Sequence, residues 1–373
     1  MRVGLTALGL VCALGDDTRT ILERALAGDT SFMRPWTGVL PAGAVSPFGR
    51  VDLPEPEEAA EPRCARLLRM AADQLEPELA ALRRRVAWER VGIVLGSSNS
   101  TMEEFTRCPS GGIDMATPAT FLKGVLGTGG PAWVVSTACS SSAKAFASAR
   151  RLLAGGICDA VIVGGADSFS RVVENGFFAL EALSGELAQP MGKRRSGINL
   201  GEGAALFIME REGGPVSLLG IGESSDAYHL TAPHPEGRGA ADAMRAALAD
   251  AGLPPEAIGY INLHGTGTVY NDRMESLAIR DVFGLSVPCS STKPMTGHTL
   301  GAAGAIEAGL CWLMLDAGDR LLPHVFDGER DETLPPLPLV GLNERRPCRT
   351  ALSNSFAFGG SNASLILGRE DHG

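Results

Sequence analysis

One cysteine and two histidines in this chain have the side-chain types and contexts of a nucleophilic site. Cys139 follows an apolar run at 132–138 and opens a segment of small residues whose pattern predicts a helix. A thiol at a helix start faces backbone N–H groups without partners, and this placement favours the thiolate. His264 and His298 each lie in a segment rich in glycine and threonine. These residues predict acyl or related group transfer through a cysteine nucleophile.

Each of these residues alone is weak evidence, because a cysteine after a strand is most often a buried structural thiol. A histidine at a strand end before glycines can simply cap a turn. The three residues together are stronger evidence, since each lies where a predicted strand ends or a helix begins, which is where α/β active sites collect. Lys293 lies just before His298, and Glu307 follows it on the same predicted helix.

Four motifs resemble, in order, those of the elongating β-ketoacyl-acyl-carrier-protein synthases of the thiolase superfamily. They are the nucleophile motif at 136–141, the first histidine motif at 264–275, the lysine and second histidine motif at 291–307, and the C-terminal glycine loop at 354–362. The motifs span most of the chain. The resemblance implies an α/β thiolase fold of five layers, αβαβα, built from two similar halves and normally an obligate dimer.

The chemistry of such a site follows from the residue types. A thiolate at a helix start can take an acyl group from a carrier thioester. The backbone N–H groups of Cys139 and, by resemblance, of Phe358 form the oxyanion hole, and Phe358 gates the site. Neutral His264 and His298 can donate hydrogen bonds to a malonyl thioester and stabilise the enolate left when CO₂ departs.

Two further residues and the cofactor requirement follow from the same resemblance. It assigns Lys293 and Glu307 as an ordering and electrostatic pair that poises the histidines. The alternative for this pair is a buried salt bridge that serves the fold alone. No metal and no organic redox cofactor is needed for decarboxylative condensation.

The alternation of strands and helices predicts parallel sheets with helices on both faces. Strands are predicted at 3–8, 91–96, 134–137, 160–163, 216–220, 258–263, 287–290, 320–323, 350–355 and 363–367, and helices at 17–27, 63–82, 240–251, 271–282 and 298–316. The stretch at 35–62, rich in proline and glycine and with an acidic run, reads as a loop or cap. A weak repeat of strand, small-residue helix, glycine and strand predicts two halves, 1–213 with the cysteine and 214–373 with the two histidines.

Composition narrows the function class. The 373 residues are 45% apolar and carry 47 glycines, which suits closely packed α/β layers. A formal net charge of −10 argues against binding nucleic acid through its phosphates. The eight cysteines show no spacing of a zinc site or disulfide framework. With no signal-peptide pattern and no apolar run long enough to span a bilayer, we expect a cytoplasmic protein without membrane insertion.

The expected partners are acyl carrier protein, in acyl and malonyl forms, and a second ketosynthase subunit, either a copy or a homologue. Because such carriers are acidic, the synthase must present local positive charge near its tunnel. The candidates are Arg63, Arg66 and Arg69 on one predicted helix, and Lys193, Arg194 and Arg195 in a loop. A solvated surface is the alternative for both groups.

Three features depart from the family pattern. The segment at 97–131 is shorter than usual, Ala357 stands where a glycine is usual before Phe358, and the region at 189–199 lacks the usual Pro-Phe-Asp pattern. These features resemble ketosynthases of specialised bacterial pathways such as aryl polyene assembly more than housekeeping fatty acid enzymes. The sequence leaves fatty acid, polyketide and aryl polyene synthesis open as the pathway.

Three other functions remain open from the sequence. A non-catalytic partner that sets chain length in a heterodimer usually lacks the nucleophile, whereas Cys139 is present here. A thiolase needs a second cysteine in its C-terminal loop, which here reads Phe358-Gly359-Gly360-Ser361. A papain-like protease shares cysteine and histidine but not this glycine-rich α/β context.

Overall fold

The computed structural model describes residues 1–53, 61–107 and 114–369, with the side chain of residue 42 left aside. Its core is a mixed sheet of ten strands in the order β10-β9-β11-β12-β8-β1-β7-β6-β4-β5, beside a hairpin of β2 and β3. The strands are β1 (Val3–Val11), β2 (Met33–Trp36), β3 (Ser46–Gly49), β4 (Val91–Gly96), β5 (Ala132–Val135), β6 (Ala160–Asp167), β7 (Gly203–Glu210), β8 (Val216–Ser225), β9 (Tyr260–Asn262), β10 (Cys289–Ser290), β11 (Thr350–Ala357) and β12 (Ser361–Arg369).

The α-helices of the described residues number eleven. They are α1 (Thr18–Ala27), α2 (Arg63–Asp73), α3 (Glu76–Arg83), α4 (Met102–Arg107), α5 (Thr117–Leu126), α6 (Ser141–Ala154), α7 (Arg171–Ala179), α8 (Arg238–Ala251), α9 (Val269–Phe283), α10 (Lys293–Thr296) and α11 (Ala303–Ala317). Local sequence sets several of their ends. Asp17 caps α1 by accepting the N–H of Thr20, and Gly28 ends it in the left-handed conformation.

The sheet has two equivalent halves joined through a short antiparallel contact of β1 and β8. In the first half β4 pairs in parallel with β5 and β6, and β7 pairs antiparallel with β6 and β1. In the second half β9 pairs in parallel with β10 and β11, and β12 pairs antiparallel with β11 and β8. The two halves therefore have one topology, as the weak sequence repeat predicted. The antiparallel strands correct the expectation of parallel pairing throughout.

The helices lie in three layers around the two half-sheets. The helices α6 and α11 contact each other and strands of both halves in the middle of the molecule. The helices α2 and α5 cover the outer face of the first half, and α8 and α9 cover the second. This arrangement confirms the five-layer αβαβα fold, and its central layer positions the residues that follow β5 and β10.

One helical segment, Leu300–Ala317, is long and apolar enough to cross a membrane, against the expectation that the chain has no such run. It is 83% buried within the protein. Burial between the two half-sheets explains its apolar composition, so it is a core helix of the fold.

Most of the strands and helices predicted from sequence form, with a few differences. The loop predicted at 35–62 contains part of the β2–β3 hairpin, while its acidic run at 55–61 lies almost wholly outside the described residues. The predicted helix at 63–82 breaks into α2 and α3, and 320–323 is not a strand. His298 does not open a helix, because a 3₁₀ turn at Leu300–Ala302 precedes α11.

Candidate active site

Cys139 lies in a tight turn between β5 and α6. Ala138 has a φ of 51°, in the left-handed region that non-glycine residues seldom adopt, and its carbonyl accepts the N–H of Ser141 at 3.1 Å. The start of α6 packs directly on β4, where a Cβ at Gly96 would lie 2.1 Å from the backbone nitrogen of Ser142. This close approach holds the cysteine at the start of the helix, as the sequence predicted.

His298 contacts the cysteine directly. Its Nε2 lies 3.0 Å from the Sγ of Cys139. Its backbone is held on both sides, because its N–H donates to the carbonyl of Asn199 at 2.7 Å and its carbonyl accepts the N–H of Gly201 at 3.1 Å. The segment 199–201 was not predicted from sequence as part of the site. Its contact with His298 spans about a hundred residues, so no local pattern indicates it.

His264 is held by a buried carboxylate. Glu275 accepts the backbone N–H groups of His264 and Gly265, each at 2.7 Å. The rings of His264 and His298 lie edge to face with centroids 5.3 Å apart. The two predicted histidines thus lie in one site, with their rings in contact.

Lys293 and Glu307 form a buried ion pair, with 3% of each side chain exposed. The ammonium of Lys293 donates to Glu307 Oε1 and also to the backbone carbonyl of His264 at 2.5 Å. The pair is therefore bonded to the backbone of a histidine, which a salt bridge elsewhere in the core would not be.

Burial opposes the ionisation of Cys139 that its place at a helix start favours. Desolvation raises the pKa of its thiol to about 12, against the opposing effects of the Lys293 charge and a hydrogen bond from the backbone of Phe358. A base beside the sulfur would therefore assist its ionisation.

The histidines are available as neutral groups. Burial and the charge of Lys293 lower the pKa of both His264 and His298 well below the usual range. Burial raises the pKa of Glu307 to about 6, and Lys293 opposes this shift. Near neutral pH, His298 can accept the thiol proton, and both rings can present a neutral N–H to substrate.

A cavity of about 280 Å³ leads to these residues. Its lining includes Phe177, Ile198, Met274 and Phe356 beside the reactive groups, and Leu180, Val269 and Tyr270 at its exposed rim. Phe358 is exposed, and its ring centroid lies 5.7 Å from that of Phe177. The described residues hold no cluster of side chains suited to a metal ion.

The proposed carrier-docking residues do not share one environment. Arg63 is buried and ion-paired with Glu202 at 2.5 Å, and the side chain of Arg195 is 6% exposed and pairs with Asp331. These two predictions are wrong, because both charges are neutralised inside the protein. Arg66 is partly exposed, Arg69 pairs with Glu61, Arg194 pairs with Asp327, and Lys193 is exposed.

The amino-acid sequence matches a known family over most of its length. Residues 54–213 match the family described as Beta-ketoacyl synthase, N-terminal domain, and residues 216–325 match Beta-ketoacyl synthase, C-terminal domain. The 3-oxoacyl-[acyl-carrier-protein] synthase 2 of Coxiella burnetii is 32% identical over 423 aligned positions, covering 99% of this chain and 98% of that protein.

Solved structures agree with this match. A chain from the ketosynthase ApeO in complex with its chain length factor ApeC, from Xenorhabdus doucetiae, is 43% identical with a TM-score of 0.93, covering 99% of this chain and 98% of that one. A chain of the ishigamide ketosynthase/chain length factor is 28% identical with a TM-score of 0.88 and 99% coverage of both. With both family domains matched and relatives aligned over nearly their whole length, this chain belongs to the β-ketoacyl synthase family.

Proposed function

We propose that this chain catalyses decarboxylative Claisen condensation of an acyl group held on Cys139 with malonyl-acyl carrier protein, giving a β-ketoacyl carrier protein. The observation that carries the proposal is the contact between Cys139 Sγ and His298 Nε2 at 3.0 Å, with the backbone N–H of Phe358 bonded to the same sulfur. These contacts support the roles of nucleophile, base and oxyanion donor for groups that meet around one atom.

Acylation begins from the neutral thiol. As Cys139 Sγ attacks the carbonyl of an acyl carrier thioester, its proton passes to His298 Nε2. The backbone N–H groups of Cys139 and Phe358 stabilise the oxyanion, each contributing about 3–4 kcal/mol. When the carbonyl re-forms, the carrier's thiolate leaves and takes the proton from His298, so the free carrier thiol is the product.

Condensation uses both histidines as neutral donors. The malonyl thioester oxygen accepts hydrogen bonds from His264 and His298, and loss of CO₂ leaves an enolate at that oxygen. The enolate carbon attacks the acyl thioester on Cys139. Collapse releases the β-ketoacyl carrier and the Cys139 thiolate, which takes one proton from solvent.

The Lys293–Glu307 pair supports this chemistry by holding His264 through its backbone carbonyl. The charge of Lys293 also lowers the pKa of both histidines and favours ionisation of Cys139. Its proposed role is thus both ordering and electrostatic, and it requires no contact with substrate.

The proposed partners are acyl carrier protein and a second ketosynthase subunit. The strand β5 is the outermost strand on its side of the described sheet, and its four residues are all partly exposed. Such an edge can be covered by another subunit. Similarity to a chain from a ketosynthase–chain length factor complex favours a heterodimer over a homodimer.

The pathway and cell compartment are proposals of the same kind. The 43% identity to a chain of the ApeO–ApeC complex favours a specialised pathway, and we propose aryl polyene assembly rather than housekeeping fatty acid synthesis. The protein would act in the cytoplasm, where carrier-bound intermediates are made.

The division into halves 1–213 and 214–373 also stays a prediction. Lys193, Arg194, Arg66 and Arg69 remain the candidate docking residues.

A chain length factor is the second candidate function, because two of the similar structures contain one. An intact contact between cysteine and histidine favours the catalytic subunit. The test incubates the purified chain, alone and with its homologous partner, with acyl carrier and malonyl carrier protein. We expect acyl mass on Cys139, CO₂ and a β-ketoacyl product, all lost in Cys139→Ala. A chain that binds its partner but never becomes acylated would instead be the length-setting subunit.

A further inference from the structure

A buried carboxylate outside the predicted motifs lies beside the reactive residues. Asp167 ends β6 and is fully buried. On one side it accepts the hydroxyls of Ser97 at 2.5 Å and Ser98 at 2.8 Å, and the backbone N–H groups of Ser98 and Asn99. On the other side it accepts the backbone N–H of Gly301 at 2.7 Å. One side chain therefore joins the end of β4 to the turn that follows His298.

The turn at Gly301 depends on this contact. Leu300 has a φ of 55°, and a Cβ at Gly301 would lie 2.7 Å from Asp167 Oδ2 and 2.5 Å from the backbone nitrogen of Ser98. The hydroxyl of Ser98 also accepts the Gly301 N–H, at 3.1 Å. The space is closed to larger residues, and the turn is held by acceptors on β6 and after β4.

The same region connects the two reactive residues. The helix α11, which follows the turn, donates the N–H of Ala305 to the hydroxyl of Ser142 at 2.9 Å, and Ser142 lies in the first turn of α6 behind Cys139. A shift of the turn would therefore move His298 against Cys139. Because the Nε2–Sγ distance is 3.0 Å, proton transfer has little tolerance for such a shift.

We propose that Asp167 is a positioning residue for this active site, holding His298 in register with Cys139 through the backbone N–H of Gly301. The inference rests on the proposed condensing activity and adds a residue to it. Asp167 acts through the turn and does not touch substrate. Asparagine cannot replace it. Both carboxylate oxygens of Asp167 accept hydrogen bonds, and in asparagine one of them becomes an NH₂ group that would face the same donors.

The test compares Asp167→Asn with Glu210→Gln. Glu210 lies at the opposite end of the β6–β7 ladder, paired with Arg85, and so controls for loss of a buried carboxylate far from the site. Two rates are measured: acylation of Cys139 by an acyl carrier, which includes the proton transfer to His298, and CO₂ release from malonyl carrier by the acylated enzyme. Unfolding by urea is followed for both variants. We expect D167N to lower kcat by about 10–100-fold with KM little changed, and E210Q to keep wild-type kcat.

A second readout separates positioning from general damage. The charged groups that act on the Cys139 thiol are Lys293, Asp167 and Glu307, and the charge of Asp167 raises its pKa. Alkylation of Cys139 by iodoacetamide, followed by peptide mass spectrometry across pH, should therefore shift to lower pH in D167N. A variant that was only partly unfolded would instead alkylate its other buried cysteines as well.

Ser98→Ala is the milder variant, since it keeps the carboxylate but removes the hydroxyl between Asp167 and Gly301. Its loss of kcat should be smaller and should not add to that of D167N in the double variant, because both act through one contact. If D167N keeps wild-type kcat, or S98A and D167N multiply independently, the inference is wrong. If the wild-type enzyme itself releases no CO₂, the proposed function fails instead.

Discussion

Replacing Lys293 by methionine tests whether the buried ion pair is needed for the folded site. Methionine keeps most of the side-chain volume and removes the charge and the donor. Glu307 is then left buried beside no cation, which costs about 3–5 kcal/mol when one partner of a buried pair is removed. Because both side chains are 3% exposed, water cannot take the place of the ammonium without opening the core.

The loss of unfolding free energy in Lys293→Met should depend on pH, because Glu307 becomes neutral when it binds a proton. Its pKa is already raised to about 6 in the folded protein, chiefly by burial. A group with a raised folded pKa stabilises fully below its unfolded pKa, and this contribution is lost as the pH rises through the folded value. The wild type therefore loses stability only up to about pH 6, whereas Lys293→Met should keep losing it.

The upper limit of the cost is that of keeping the carboxyl protonated. From an ordinary pKa of 4.5, one unit of pKa corresponds to about 1.4 kcal/mol, so the limit is about 1.4 kcal/mol at pH 5.5 and about 5 kcal/mol at pH 8. The wild type, with its Glu307 pKa of about 6, already carries about 2 kcal/mol of this cost at pH 8, so the loss in K293M relative to the wild type is at most about 3 kcal/mol there. The double variant Lys293→Met/Glu307→Gln removes both charges. It should recover most of the stability at pH 8, because replacing the whole pair leaves no uncompensated charge.

The assay is urea unfolding at pH 5.5 and pH 8 of the wild type, the two single variants and the double variant. The expected result is a destabilisation of K293M that grows with pH and a double-mutant cycle with strong coupling. A K293M loss below about 1 kcal/mol at pH 8, or a double variant no more stable than K293M, would refute the argument that the pair compensates a buried charge.

Four other predictions use the same structure. Cys139→Ser should abolish stable acyl loading seen by intact mass while leaving urea unfolding close to wild type, and acyl mass found elsewhere would contradict the assignment of the nucleophile. His298→Ala should slow Cys139 acylation by about 100-fold or more, since burial raises the pKa of the thiol to about 12 and the variant loses the base whose Nε2 lies 3.0 Å from its sulfur. Stopped-flow loading measures this rate. His324 is buried, and burial lowers its pKa to about 4. As the pH falls from 6.5 to 4, its protonation in the unfolded chain should therefore lower the stability, by about 3 kcal/mol in full. His324→Gln should reduce this loss of stability at acid pH, as measured by urea unfolding across pH. Arg194→Glu should raise KM for the carrier without changing the midpoint of urea unfolding. Arg63→Met should lower that midpoint, because it breaks the pair with Glu202. If Arg63→Met instead raised KM for the carrier and left the midpoint unchanged, Arg63 would again be a docking residue.

The sequence by itself determined the family and the layered α/β architecture, and it predicted the residues that are proposed to react. Motifs around Cys139, His264, Lys293 and His298 are short segments at turns, and their glycines and small residues are required locally by backbone conformation. Such requirements appear in the order of residues, as does the repeat that the two half-sheets share. The strand β7 was not predicted.

Only the tertiary structure decided the pKa values of the site residues and which distant residues contact them. Burial raises the pKa of the Cys139 thiol despite its place at a helix start, and it removes Arg63 and Arg195 from the surface. The support of His298 by residues 199–201 and by Asp167 joins segments about a hundred or more positions apart. Desolvation and such long-range hydrogen bonds depend on the packing of distant segments, which no local pattern records.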